Sequence, residues 1–154
     1  MTDLAIPRAL HRAESDLPFV DIGDGSTMQL VHVDIEQGLW VVRTRFQPGY
    51  QVQTHKHTGP VFAFTLAGRW RYVEYPEVNT AGSYLFEPAG SVHTLTVPAD
   101  NDEVTDVWFA VTGANLNLDE DGSVVSVWDA QYILDGYLLL CEAAGYGRPD
   151  IIGR

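Results

Sequence analysis

Only one cysteine, Cys141, stands among the 154 residues, which excludes an intramolecular disulfide framework and fits a reducing compartment. Positive charge is scarce: 9 Lys and Arg face 21 Asp and Glu, for a formal net charge of -12. That balance argues against nucleic acid or an anionic membrane as partner, because both demand clustered cations. No apolar run is long enough to cross a bilayer. The opening residues, MTDLAIPRALHRAESD, lack a basic-then-apolar signal pattern, so a cytoplasmic protein is expected. Glycine-rich phosphate loops are missing, and no Ser-His-Asp arrangement has a recognisable context. DEDG at 119–122 opens like a calcium loop but lacks the alternating ligands and distant glutamate, and reads as a hairpin turn.

What the chain does contain is a succession of short apolar segments punctuated by QPGY, TGP, LAG, NTAG, EPAG, PADND and DEDG. The spacing predicts strands over 28–34, 39–46, 51–57, 61–66, 70–75, 83–86, 92–97, 104–111 and 124–127, hence an all-β sandwich or barrel. VFAF and DVWFAV are apolar on both faces, which calls for cover by the barrel interior, a helix or another subunit. DAQYILDGYLLLCEAA at 129–144 breaks the pattern. Ile133, Leu134, Tyr137, Leu138 and Cys141 fall near a helical period, Gly136 interrupts it, and Gly145 with Pro149 supplies a stop. The expected organisation is one domain: an N-terminal arm over 1–17, a barrel over 18–127, and a C-terminal helix and tail over 128–154. Cys141, on the apolar face of that helix, reads as buried and inert.

Of five histidines, His11 and His32 read as ordinary surface or hydrogen-bonded side chains. His55 and His57 differ, because residues two apart on a strand share a face while the intervening Lys56 points away. Two imidazoles so placed can share a cation; His93, after the Pro-Gly turn of PAGSVHTL, is the candidate third ligand.

These residues fall into G-x5-H-x-H-x3-V-x6-G over Gly49–Gly68 and G-x5-P-x-G-x2-H over Gly82–His93. The pair resembles the two motifs of the cupin superfamily, which implies a double-stranded β-helix, or jelly-roll barrel, with both motifs on facing strands. Val61 stands where the usual motif has a glutamate ligand, and Val97 where an asparagine is frequent. Three neutral imidazoles leave a divalent ion its full charge and an open face. This is a variant of the two-histidine-one-carboxylate oxygenase site that favours an anionic chelator.

A narrower resemblance covers roughly Pro18 to Ser123. FVDIGDGST, LVHVDIE, LWVVRTRFQPG, QTHKHTGPVFAFTLAG, YPEVNTAGSYLFEPAGSVHTL and DVWFAVTGANLNLD are similar to the 2,4'-dihydroxyacetophenone dioxygenase family and, more distantly, to acetylacetone dioxygenases. This implies Fe(II) held by His55, His57 and His93, and cleavage of an aromatic hydroxyketone by dioxygen to 4-hydroxybenzoate and formate. It also implies a role near the metal for Glu87, orienting a histidine or moving a proton. Val61 would keep the substrate side of the metal apolar. Two alternatives stay open: β-diketone cleavage, and a non-catalytic cupin that binds a metal or small ligand. Phe62, Phe64, Trp70, Trp108 and Phe109 are candidate pocket, core or interface residues. Arg43 and Arg45 share a strand face, inward or outward, and Glu74 and Glu77 read as exposed. The apolar two-faced strands and helix point to a homodimer or homotetramer.

Overall fold

The computed structural model describes residues 5–154, so positions 1–4 of the expected arm lie outside the described residues. After a 3-10 turn at Glu14–Asp16 come β1 (Val20–Gly23), β2 (Ser26–Asp34), β3 (Leu39–Phe46), β4 (His55–His57), β5 (Val61–Ala67) and β6 (Arg71–Tyr72). There follow β7 (Tyr84–Glu87), β8 (Val92–His93), β9 (Leu95–Thr96), β10 (Thr105–Thr112), β11 (Asn115–Leu118), β12 (Val124–Trp128) and the helix α1 (Ala130–Ala143). Three antiparallel sheets result: a six-stranded one ordered β1-β2-β3-β10-β5-β7, a four-stranded one ordered β12-β11-β4-β8, and the pair β6-β9. This is the all-β cupin jelly roll with a C-terminal helix.

Period-two burial fixes which face looks inward. On β3, Trp40, Val42, Thr44 and Phe46 are buried, while Val41, Arg43 and Arg45 lie on the opposite face. On β5, Val61, Ala63 and Thr65 are buried, while Phe62 and Phe64 are 43% and 46% exposed. The expected cover on the second face of VFAF is therefore absent within the described residues of this chain. Phe62 and Phe86 instead meet on the outside, ring centroids 5.6 Å apart. Gly68 ends β5 with φ +77°, and a Cβ there would come within 2.5 Å of Thr105 Cα, so only glycine fits.

Several expected strands are shorter or divided. The segment 51–57 forms a ladder only at its end, Gln51 making an isolated bridge to Thr96. Of 70–75, Arg71 and Tyr72 pair with β9, while Trp70 makes an isolated bridge to Asn79. The segment 92–97 splits because β8 pairs with β4 while β9 pairs with β6, and Thr94 N between them donates to Glu74 Oε2 at 2.9 Å. β1 and β11 were not expected.

Arg43 and Arg45 point away from the barrel interior. Arg43 donates Nε and Nη2 to the two carboxylate oxygens of Asp106 at 2.8 and 2.7 Å, and Nη1 lies 2.8 Å from Glu14 Oε1. Arg45 also reaches Asp106 and Glu14, and its guanidinium lies over Phe19, 4.0 Å from the ring centroid. This charged cluster clamps the N-terminal turn to the outer face of the large sheet. Trp108 lies on that outer face against Arg43, whereas Trp70 is fully buried and donates its indole N–H to Thr65 Oγ1 at 2.9 Å.

The helix begins where Asp129 caps it, Oδ1 accepting from Tyr132 N at 2.8 Å. It buries Ala130, Ile133, Leu134, Tyr137 and Cys141 against the barrel, the face expected from its periodicity. Burial pushes the Cys141 thiol up, which suits an inert core position. Tyr137 donates its hydroxyl to Pro18 O at 2.6 Å and so ties the helix to the segment leading into β1. The chain then returns to β2, where Val33 N donates to Ile152 O at 2.9 Å.

Candidate metal centre

β4 carries His55 and His57 buried with Lys56 exposed between them, as strand alternation requires. β8 lies antiparallel to β4 with His93 directly opposite His55, so all three imidazoles leave the small sheet on one side. His55 Nδ1 donates to the Gln53 carbonyl at 2.8 Å, which leaves Nε2 as the lone-pair nitrogen. That Nε2 lies 3.1 Å from His57 Nε2. Two nitrogens bound at right angles to one ion, with bonds of about 2.1 Å, stand about 3.0 Å apart. Burial is the main cause that holds both His55 and His93 below the ordinary imidazole value, which keeps their lone pairs free of protons near neutrality.

Glu87 enters from the large sheet. It is 2% exposed, and its Oε2 lies 2.9 Å from His57 Nε2 without the alignment of a hydrogen bond. Among the described residues, neither carboxylate oxygen has a donor. A buried carboxylate without compensation is costly, so a bound cation is the natural complement of this arrangement. The register places Glu87 opposite Val61, the position at which the motif lacks its acid. An ion here would therefore not keep its full charge, and the expectation of an uncompensated dication gives way to one partly neutralised from the adjacent strand.

His93 stands somewhat apart. Its ring stacks on Tyr72 at 4.2 Å between centroids, its centroid is 5.9 Å from that of His57, and neither of its nitrogens has a partner among the described residues. Among the described residues, no three His, Cys, Asp or Glu side chains already stand at the mutual spacing of a complete metal shell.

The cluster closes one end of a cavity of about 490 Å³. His55, His57, Val61 and Glu87 line it; His93 does not, its stacking partner Tyr72 taking that place. Of the candidate aromatics, Phe109 lines the cavity, while Phe62, Phe64, Trp70 and Trp108 do not. Trp40, Trp128 and Tyr132 line it without having been expected to. Asn115 was also missed. It is the cross-strand partner of His57, faces the cavity, and holds a buried Oδ1 without a donor. The signal was the alternation of NLNL, polar at 115 and 117 and apolar at 116 and 118, with the polar residues facing inward.

Comparison with known proteins places the fold. The profile of the ChrR cupin-like domain family matches residues 8–114. A solved protein of unknown function with a cupin-like fold, from Ralstonia eutropha JMP134, is 33% identical, with TM-score 0.87 over 96% of this chain and 93% of its own. An acetylacetone dioxygenase from Acinetobacter johnsonii is 19% identical, with TM-score 0.75 over 88% of this chain and 93% of its own. The anti-sigma factor ChrR, solved in complex with SigE from Rhodobacter sphaeroides, is 17% identical with TM-score 0.53, over 65% of this chain and 51% of its own. At these last two identities the likeness is one of fold. No curated protein matches the chain. By its matched profile and by the likeness that extends across nearly all its length, the chain belongs to the ChrR cupin-like family.

Proposed function

We propose that this protein is an Fe(II)-dependent dioxygenase that cleaves the bond between the carbonyl and hydroxymethyl carbons of an aryl hydroxyketone, 2,4'-dihydroxyacetophenone being the leading candidate. The observation that carries the reading is the donorless, buried Glu87 carboxylate beside the paired nitrogens of His55 and His57, at one end of an apolar cavity. His55, His57 and His93 would hold the iron, with Glu87 beside them. Iron bound there would supply Lewis acidity toward the ketone and electrons for dioxygen.

The chain's own residues do the rest. His55, fixed through Nδ1–H on the Gln53 carbonyl, keeps Nε2 directed at the site. Glu87 Oε2 is placed to take the proton of the substrate hydroxyl, since no described residue donates to it. Asn115 Oδ1 offers an acceptor that positions a second donor of the substrate. Val42, Val61, Phe109 and Val111 form walls that exclude water and suit an aryl ring. The balance is simple: the carbon–carbon bond breaks and both oxygen atoms end in the products, an aryl carboxylate and formate. β-Diketone cleavage is the neighbouring alternative, supported by the fold likeness to acetylacetone dioxygenase.

A second reading, metal or ligand binding without turnover, draws on one observation: His93 lies against Tyr72 and away from the cavity. Anaerobic loading with Fe(II), followed by oxygen uptake and formate release with 2,4'-dihydroxyacetophenone and with acetylacetone, separates the three. Saturating iron without uptake on either substrate leaves the binding reading. The proposal includes a homodimer or homotetramer, supported by the exposed Phe62, Phe64, Tyr84 and Phe86 on β5 and the edge strand β7. A monomer by light scattering would remove that part.

A further inference from the structure

Gly136 occupies the middle of α1, where glycine weakens a helix relative to alanine. The fold does not demand glycine there. Its φ is not positive, and a Cβ added to it would meet no atom within 4 Å beyond its chain neighbours and the local helix backbone, among the described residues. Yet Gly136 lines the cavity. Tyr132, Gly136 and Leu140 succeed one another at intervals of four on one helix face, and all three line the cavity, so the glycine is a notch between two large side chains. Tyr132 and Leu140 are 53% and 38% exposed, whereas Glu87, His57 and His55 are 2%, 4% and 6% exposed, so this stripe lies where the cavity meets solvent.

Size supplies the second observation. A cavity of about 150 Å³ is filled by one benzene, and the cavity here, at about 490 Å³, has roughly three times that room. A single-ring hydroxyketone leaves much of it unfilled.

We propose that Gly136 is a specificity-determining residue and that, beyond the one-ring candidate named above, the cavity admits aryl ketones whose apolar body extends past one ring, the far end seated in the notch between Tyr132 and Leu140. The ketone head rests on the function proposed above; the length of the apolar body does not.

The test reads binding rather than turnover. Trp40 and Trp128 line the cavity, so quenching of tryptophan fluorescence in the iron-loaded protein reports occupancy. The probes are 2-hydroxyacetophenone and its 4'-phenyl analogue, with benzene and biphenyl as the same pair lacking the ketone. The parent should bind each two-ring probe about tenfold or more tighter than its one-ring partner. Gly136→Leu should erase that preference. Gly136→Ala, whose Cβ meets open space, should raise the melting temperature and still weaken the two-ring probes, with the one-ring probes unchanged. Equal affinity for one and two rings in the parent, no binding of biphenyl or its ketone, or a preference untouched by either folded variant would overturn the proposal. Binding of biphenyl that depends on residue 136, without binding of either ketone, would uphold the notch and overturn the ketone reading instead.

Discussion

Val61 on β5 and Glu87 on β7 are direct cross-strand partners, so their side chains leave the large sheet on the same face. A carboxylate thus stands one sheet position from the place at which the motif lacks its acid, with Glu87 Oε2 2.9 Å from His57 Nε2. A motif read along one strand registers a loss where the folded site has a carboxylate.

Replacing Glu87 by glutamine keeps its shape and removes its charge. Iron content after loading should fall about 10- to 100-fold in apparent affinity, with the melting temperature of the metal-free protein unchanged or raised, since a donorless buried charge is gone. Undiminished metal affinity by competitive chelator titration would show that Glu87 stands apart from the ion.

His57→Ala removes the residue in contact with both His55 and Glu87, and His93→Ala removes the one stacked on Tyr72. Both variants should fold and both should lose iron on gel filtration, measured by elemental analysis. Iron retained by His93→Ala at the parent level would assign the ion to His55, His57 and Glu87 alone.

The metal-free protein should become less stable in mild acid. His55 and His93 have folded-state values below the ordinary 6.5, chiefly through burial, so the unfolded chain binds protons at a pH where the folded chain does not. Their contribution is complete above pH about 6.5 and is lost as the pH falls below it toward the lowered folded values. Melting temperatures from pH 7.5 to 5.5 should therefore drop in the parent and drop less steeply in a His55→Asn, His93→Asn double variant. Identical slopes would show that neither imidazole is held neutral.

Arg43→Ala tests the clamp on the outer face. The Arg43 and Asp106 side chains are 15% and 12% exposed, and removing the guanidinium leaves Asp106 with Arg45 alone. Urea unfolding should show a loss of about 1–3 kcal/mol, smaller than for a fully buried pair stripped of its only partner. Metal affinity should not move, because the cluster lies on the far face of the sheet; a change in metal affinity would contradict the orientation of β3.

How much of this was legible in the sequence follows from how local each signal is. The pairing of His55 with His57 on one face is a property of adjacent residues in an extended chain, and so is the helix over 130–143, set by its own period and by Asp129. Turn residues and the spacing of apolar segments marked β3 and β5 almost to the residue. Arg43 and Arg45 were ambiguous because both strand faces carry residues that can be half-buried, and only Asp106 and Glu14, distant in sequence, decide between them. The register of Glu87 against Val61 is likewise non-local, as is the choice of partners that divides 92–97. β11 was legible in the alternation of NLNL but hidden by its inverted sense, asparagines inward. The aromatic lining at Trp40, Trp128 and Tyr132 comes from three separate elements that only the closed fold brings together.

Because α1 walls the cavity and is fastened by the Tyr137 hydroxyl to Pro18, filling the cavity and seating the segment after Trp128 belong to one coupled equilibrium. A molecule lodged against the helix must slow amide exchange along Ala130–Ala143 and shield the chain after Trp128 from proteases. The C-terminal segment would then serve as a built-in gauge of occupancy, readable even for compounds that undergo no chemistry.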